Sequence, residues 1–359
     1  MMKKLLSLTM ALLLTVSLFG CSTQNESSST ISSSSAGSEL SSAASSAPES
    51  SAVSSEPSSQ PAADAVDTRV AALKGPTAMG MVKLMDDSEA EADSPYDFNI
   101  YAAVDEITPQ LVQGNLDLAA VPANLASVLY NQTEGKVKTL AIHTLGVLYI
   151  VENGDTVQSL ADLKGKTIYA SGKGATPEYA LTYLLKQSGI DPETDVTIEW
   201  KSEHTECLTA LTTSENGIAM LPQPFVTTAT MKNENIRVAL DLNKEWEALG
   251  DGSALITGVL VGRSEFIDEH PDAVAEFLSK YEESISYVNG NVTEAAQLIE
   301  KYDIVPAAVA EKALPECNIT FIAGDEMKTK LSGYLQTLFD QNPKAVGGAM
   351  PGDDFYYTK

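Results

Sequence analysis

The 359-residue sequence is poor in the residues that build metal centres and nucleophilic catalytic sites. It contains three cysteines and three histidines, and it has no Gly-x-Ser-x-Gly, P-loop or His-Glu-x-x-His pattern. His204 and Cys207 lie three residues apart, but two ligands do not make a zinc site. The sequence therefore predicts no catalytic residue, no metal and no cofactor.

Positive charge is also scarce. The 23 lysines and arginines face 49 aspartates and glutamates, which gives a formal net charge of −26 at pH 7. Proteins that bind nucleic acid displace counterions with lysine and arginine. This balance excludes nucleic acid as a partner and is better explained by solubility at a crowded cell surface.

The N-terminal apolar run, residues 5–18, is shorter than the roughly 20 residues that a membrane-spanning helix needs. It follows Lys3 and Lys4, and a basic start before a short apolar stretch is typical of an export signal. Residues 1–20 are therefore predicted to be a signal peptide. Its removal takes away two lysines and no acid, so the mature charge would be about −28.

The end of this leader, Leu18-Phe19-Gly20-Cys21, resembles a bacterial lipobox. The resemblance implies that Cys21 is lipidated, becomes the new N-terminus and anchors the protein to the outer face of the cell membrane. The alternative is an ordinary cleaved signal with an incidental cysteine. Between residues 27 and 59, 18 of 33 residues are serine. Such a segment has too little apolar surface to offset its ordering entropy, so residues 21–62 are predicted to be a disordered tether.

The remaining chain, from residue 67 onward, contains one pattern twice. Residues 118–124 are echoed by 218–224, 75–77 by 174–176, 137–141 by 236–240, and 98–100 by 196–198. The offsets are 100, 99, 99 and 98, in the same order along the chain. Coincidence is the competing explanation, but the agreement favours one supersecondary plan used twice. We therefore expect two similar lobes with a ligand cleft between them.

Strand patterns alternate with helical patterns in both copies, which predicts an α/β fold with mainly parallel sheets and helices on both faces. Predicted elements include helices over 78–85 and 105–112 and a strand over 98–104. Residues 148–151 and 258–261 are predicted to be two hinge crossings. Lobe 1 would then comprise 67–147 and 258–359, with C-terminal helices, and lobe 2 would comprise 148–257.

The repeated loops follow strands, and ligands of open α/β sheets bind next to the carboxyl ends of strands. Each loop also opens a helix, where free N–H groups and the helix dipole favour a carboxylate, phosphate or sulfonate. The candidate ligand-binding residues are Gly75, Thr77, Met79, Asn124, Thr144, Gly174, Thr176, Gln223 and Phe225.

Structural explanations compete for several candidates. Glycine and threonine are common in ordinary strand-to-helix turns, and Asn124 could cap its helix. Met79 and Phe225 could belong to the core. Gln223 is not needed as a cap, because the prolines on either side of it already shape the turn, and this favours a ligand role.

Cys207 and Cys317 could form a disulfide in an exported protein or could be two buried thiols, and the sequence alone does not decide between them.

Several stretches resemble the solute-binding lipoproteins of ABC importers. They are residues 73–77, 144–149, 162–168, 174–178 and 269–271 with Phe277, and the similarity spans about 68–359. It is strongest to the type II periplasmic binding proteins for nitrate, aliphatic sulfonates, taurine and thiamine precursors. The resemblance implies a monomer outside the cytoplasm that captures a small polar or anionic molecule between its lobes and delivers it to an ABC permease.

Two other functions remain open. One is a surface lipoprotein that senses a solute and presents it to a membrane receptor. The other is an enzyme, since some proteins of this fold make thiamine precursors. Those enzymes carry a cysteine-rich active-site stretch that this chain lacks, which disfavours that function.

Overall fold

The computed structural model describes residues 66–358. The predicted signal peptide, Cys21 and the predicted tether lie outside these residues. In the described part of the chain, no helix combines the length and the apolar character needed to cross a bilayer.

Eleven strands of this region form two separate sheets. The six-stranded sheet contains β1 (Thr68–Leu73), β2 (Tyr96–Tyr101), β3 (Leu118–Pro122), β4 (Val137–Leu145), β10 (Ile256–Arg263) and β11 (Ile319–Ala323). The five-stranded sheet contains β5 (Leu148–Asn153), β6 (Thr167–Ser171), β7 (Thr197–Lys201), β8 (Ile218–Pro222) and β9 (Ile236–Asp241). We call the first sheet with its helices lobe 1 and the second with its helices lobe 2.

Helices connect the strands and cover the sheets. Lobe 1 carries α1 (Pro76–Met79), α2 (Val82–Ala90), α3 (Val104–Val112) and α4 (Ala123–Gln132). Lobe 2 carries α5 (Thr176–Gln187), α6 (His204–Thr213), α7 (Phe225–Lys232) and α8 (Leu242–Glu247). The chain then returns to lobe 1 and adds α9 (Ser264–Glu269), α10 (Pro271–Gly290), α11 (Val292–Lys301), α12 (Ala307–Ala313) and α13 (Gly324–Gln341).

The two sheets have the same strand order. Lobe 1 reads β2-β1-β3-β10-β4, with β11 added at the edge, and lobe 2 reads β7-β6-β8-β5-β9. The fourth position of each sheet is filled by the strand that arrives from the other lobe. The two-sheet α/β fold predicted from the repeat is therefore confirmed.

Strand direction follows from this exchange. β1 pairs in parallel with β2 and β3, and β6 pairs in parallel with β7 and β8. The incoming strands β10 and β5 are antiparallel to both of their neighbours, and β11 is antiparallel to β4. The prediction of mainly parallel sheets thus holds within each copy of the repeat, whereas the incoming strands and β11 are reversed. An incoming strand is reversed because it enters at the carboxyl edge of its neighbours, so both carboxyl edges face the other lobe.

The helix predicted over 78–85 is in fact two helices, α1 and α2. Gly80 lies at the break, where an added Cβ would stand 2.9 Å from Cγ1 of Ile285 in α10. The Ser284 hydroxyl donates to the Gly80 carbonyl at 2.8 Å and accepts from the Leu84 amide at 3.1 Å. Tertiary contacts with α10 therefore replace the helical hydrogen bonds that periodicity alone predicts.

The strand predicted over 98–104 is also shifted, because β2 ends at Tyr101 and α3 begins at Val104. Asp105 accordingly lies inside the first turn of α3, and its side chain does not cap the helix.

The C-terminal helix α13 packs against both lobes. Its buried residues Leu331 and Tyr334 belong to the same hydrophobic cluster as Trp246 and Leu255 of lobe 2. The Tyr334 ring centroid lies 5.8 Å from that of Trp246. A continuous apolar core therefore runs past the crossings on this side of the molecule.

The edge of lobe 1 farthest from lobe 2 is held by a buried acid. Asp117 is 1% exposed and accepts hydrogen bonds from Arg69 at 2.7 Å and from Arg263 at 2.9 Å. Burial alone would raise the pKa of Asp117, but the hydrogen bonds from the two guanidinium groups outweigh it and lower the pKa below its usual value. The three residues tie the ends of β1, β3 and β10 together.

Replacing Asp117 with Asn should destabilise the protein by about 3 kcal/mol, because two guanidinium groups would lose their buried counter-charge. The matched control is Asp268→Asn, which removes the exposed partner of Lys138 and should cost under about 1 kcal/mol. Urea unfolding at pH 7 measures both. Equal losses in the two variants would contradict the proposed role of Asp117 as the buried counter-charge of Arg69 and Arg263.

Candidate functional site

The two lobes touch at the carboxyl edges of their sheets. The Thr176 hydroxyl, on the first residue of α5, donates to Oδ1 of Asn124 in α4 at 3.4 Å. The Tyr334 hydroxyl of α13 donates to Thr176 Oγ1 at 3.2 Å. Both distances are longer than is usual for a hydrogen bond between two oxygen atoms, so these contacts are weak. Asn124 and Thr176, predicted from different copies of the repeat, thus lie against each other.

The glycine loop of lobe 2 precedes α5. Gly172 and Gly174 have φ angles of 82° and 79°, a left-handed conformation that favours glycine. As the first residue of α5, Thr176 has an amide without an intrahelical acceptor. The Gly174 amide, in contrast, donates to the Glu178 carboxylate at 2.5 Å. An internal acid therefore occupies one of the N–H groups predicted to face an anion.

The matching loop of lobe 1 is built differently. Gly75 has a φ angle of 119°, and the α1 helix that follows is a single turn of four residues. Thr77 lies in this turn and is 5% exposed. Because one turn aligns few peptide dipoles, this loop offers a weaker field for an anion than the 12-residue α5.

Asn124 is not a helix cap. It lies within α4, whose N-cap position is Pro122. Its Nδ2 donates to the Ala345 carbonyl at 3.4 Å while its Oδ1 accepts from Thr176. The amide therefore links the C-terminal tail of lobe 1 to lobe 2 at the cleft.

Thr144 and Met79 lie in the core of lobe 1, and both are completely buried. Thr144 Oγ1 lies 2.8 Å from Nδ1 of the buried His143. The Met79 sulfur lies 4.0 Å from that of Cys317. Core packing explains both side chains, and neither reaches the cleft surface beside Thr176.

The two cysteines within the described region are free thiols. Cys207 and Cys317 are each buried, in different hydrophobic clusters. The sequence left open a disulfide or two buried thiols, and the structure supports the two buried thiols.

Gln223 has a structural partner after all. Its Oε1 accepts hydrogen bonds from the hydroxyl of Thr227 at 2.8 Å and from the Thr227 amide at 3.3 Å. The side chain thus satisfies the first turn of α7, and the argument that no cap was needed there was wrong. Phe225 is the first residue of α7, and its ring centroid lies 4.9 Å from that of His204.

One pair of side chains at this edge was not predicted from the sequence. His204 is the first residue of α6, and its Nδ1 lies 2.6 Å from the hydroxyl of Ser171 at the end of β6. Burial lowers the pKa of His204 below its usual value, so the ring is neutral at pH 7. A Ser171 hydroxyl that donates to Nδ1 leaves the ring proton on Nε2, a hydrogen-bond donor. The repeat register could have found this pair, since α6 begins 100 residues after α3.

None of the three arginines in the sequence is available to this edge. Arg69 and Arg263 bind Asp117, and Arg237 binds the buried Glu152 at 2.8 Å. Both acids lie at the edges of the sheets opposite the cleft. An anion in the cleft would therefore meet amides, hydroxyls and an imidazole instead of a guanidinium fork.

Comparison with known families shows which protein family the chain belongs to. Residues 77–313 match the family described as the periplasmic substrate-binding protein of phosphonate ABC transporters. The chain belongs to this family. It is thus an extracytoplasmic substrate-binding protein that works with the membrane permease of an ABC importer, in agreement with the resemblance seen in the sequence.

Solved structures show the same fold as this substrate-binding protein. A crystal structure of an ABC transporter protein from Parabacteroides distasonis is 22% identical, with a TM-score of 0.69, covering 82% of this chain and all of that one. The periplasmic aliphatic sulphonate-binding protein SsuA from Escherichia coli is 17% identical, with a TM-score of 0.64, covering 81% and 92%. The alkanesulfonate-binding protein SsuA from Xanthomonas axonopodis pv. citri, bound to MOPS, is 14% identical, with a TM-score of 0.58, covering 81% and 96%.

A search of curated proteins found no match to the chain.

The buried His143 should make the stability of this substrate-binding protein depend on pH. Burial lowers the pKa of His143 from 6.5 to about 3. As pH falls from about 6.5 toward 3, the unfolded chain binds a proton that the native state refuses, so stability drops by up to about 1.4 kcal/mol per pH unit. We expect His143→Phe to flatten this slope between pH 7 and pH 5, measured by urea unfolding. An unchanged slope in the variant would contradict the assignment.

Proposed function

We propose that the protein captures a small oxyanion, of the phosphonate or sulfonate class, between its two lobes and delivers it to an ABC permease. The lobe 1 side of the site comprises Gly75, Thr77 and Asn124. The lobe 2 side comprises Gly174, Thr176 and the pair Ser171–His204. The observation that carries this proposal is the contact between Thr176 and Asn124, because it joins equivalent edges of the two lobes.

Capture works by a shift in population. A ligand that touches both lobes is bound fully only when they are closed, so it stabilises the closed state by its differential affinity. The long Thr176–Asn124 and Tyr334–Thr176 contacts are easily exchanged for bonds to a bound oxyanion, because they contribute little by themselves.

The chemistry of the site favours an anion held without an arginine. The amide at the start of α5 and the hydroxyl of Thr176 donate from one side, and the imidazole of His204 donates from Nε2 when Ser171 holds Nδ1. The ring of Phe225 beside His204 offers an apolar surface for the organic part of the solute.

The proposal includes the segments that precede the described residues. Residues 1–20 would direct export, Cys21 would carry the lipid, and residues 21–62 would tether the folded part to the membrane. Lobe 1 (67–147 and 258–359) and lobe 2 (148–257) would move as two bodies of a monomer. The protein would act by binding alone, as an importer subunit and not as an enzyme.

Thr176→Val tests the site, since it keeps the side-chain volume and removes the hydroxyl. Isothermal titration with methylphosphonate and ethanesulfonate should show binding by the wild type and an affinity lowered about tenfold in the variant, through the loss of a bond to a charged group. Thr209→Val is the matched control, because Thr209 is exposed on α6 and bonds only the carbonyl of Thr205 there. Binding to neither anion, or equal affinities in both variants, would contradict the proposal.

Glu178→Gln should strengthen anion binding. The wild-type carboxylate occupies the Gly174 amide and adds negative charge to the first turn of α5. Its removal should raise the affinity for methylphosphonate about threefold, whereas the exposed Glu193→Gln in the same lobe should leave it unchanged. A weaker affinity in the Glu178 variant would show that this carboxylate does not compete with the solute.

A further inference from the structure

The first turn of α5 is held by the other lobe as well as by its own loop. The Tyr179 hydroxyl donates to the Gly174 carbonyl at 3.3 Å and accepts from Nδ2 of Asn342 at 2.9 Å. Gln341 donates to the Tyr179 carbonyl at 3.2 Å. Tyr179 is 7% exposed, so these bonds are shielded from water and a lost partner would be felt.

Asn342 is fixed to lobe 1. It follows the last residue of α13, and its Oδ1 accepts from the Lys344 amide at 3.1 Å. The next residues are bound to α4, because Ser127 and Asn131 each donate to the Val346 carbonyl at 2.8 Å. The Tyr179–Asn342 hydrogen bond therefore connects α5 of lobe 2 to α4 of lobe 1.

The Tyr179 hydroxyl also holds the glycine loop of lobe 2 in place. The carbonyl of the Gly174–Ala175 peptide is held by Tyr179, and its N–H donates to the Gly172 carbonyl at 3.1 Å. These two bonds fix the peptide that precedes the amide of Thr176, so the loop enters α5 from a defined direction. Gly174 needs such support, because glycine in a left-handed conformation has wide freedom to rotate.

We propose that Tyr179 and Asn342 are positioning residues that form a clasp between the lobes. The clasp orients the Gly174 loop for an anion only while the lobes are closed, and so couples loop geometry to closure. It rests on the proposed function, which it deepens by adding a site that touches no ligand yet sets the open–closed equilibrium.

Tyr179→Phe tests the clasp without a ligand, since the ring stays and both hydroxyl bonds are lost. Nitroxide labels on cysteines placed at the exposed positions Glu106 in lobe 1 and Thr205 in lobe 2 report the distance between lobes by electron–electron double resonance. The full chain carries Cys21→Ser, and its other two cysteines are buried. The ratio of open to closed molecules should rise about fivefold in the variant.

Tyr169→Phe is the matched control. Tyr169 lies in β6, and its hydroxyl lies 3.0 Å from that of Ser214, within lobe 2. Its loss should leave the distance distribution unchanged. Asn342→Ser is too short to reach the Tyr179 hydroxyl but keeps an oxygen that can accept from the Lys344 amide, and it should match Tyr179→Phe. Combining the two should add no further shift, because both break the same bond.

Ligand binding gives a second readout. Dissociation of methylphosphonate should be about fivefold faster from Tyr179→Phe than from Tyr169→Phe. Unchanged distances in Tyr179→Phe, or equal shifts in the two tyrosine variants, would overturn the clasp. A selective shift in the ligand-free distances supports the clasp even where methylphosphonate does not bind, and in that case it is the proposed solute class that fails.

Discussion

The exchange of one strand between the sheets is the constraint on which the rest of the structure depends. β5 enters lobe 2 directly after β4, and β10 returns to lobe 1 beside β3 and β4. Each exchanged strand is antiparallel to its neighbours. This reversal turns the carboxyl edges of both sheets toward each other. The helices that follow the parallel strands therefore begin at these facing edges.

The arginine side chains are bound to buried acids away from the cleft, so the cleft has no guanidinium group. The arginines bind Asp117 and Glu152 at the far edges of the sheets, where buried acids require a counter-charge. The cleft is left with weak, long bonds through Thr176 and with a neutral His204. Weak contacts suit a receptor that must both bind and release, because a site with strong internal bonds would gain little from a ligand.

The sequence predicted the plan of the fold better than the details of the site. Nearly equal offsets between the two copies predicted two similar lobes, since periodic apolar strands report burial directly. Thr144 and Met79 lie in the core of lobe 1, and the sequence could not show this, because a position near the end of a strand or in a one-turn helix does not reveal which side it faces. The single turn of α1 and the role of Gln223 depend on Ser284 and Thr227, contacts that no local pattern encodes. Ser171 and His204 were not predicted, because the equivalent positions of the first copy carry different residue types.

Hydrogen–deuterium exchange measured with and without methylphosphonate tests the central claim most directly, because it reports each loop separately. The account predicts that peptides covering residues 75–77 and 171–176, one from each lobe, become protected together, since a single solute bridges them in the closed state. Protection confined to one lobe, or protection elsewhere with both loops unchanged, would contradict capture between the lobes.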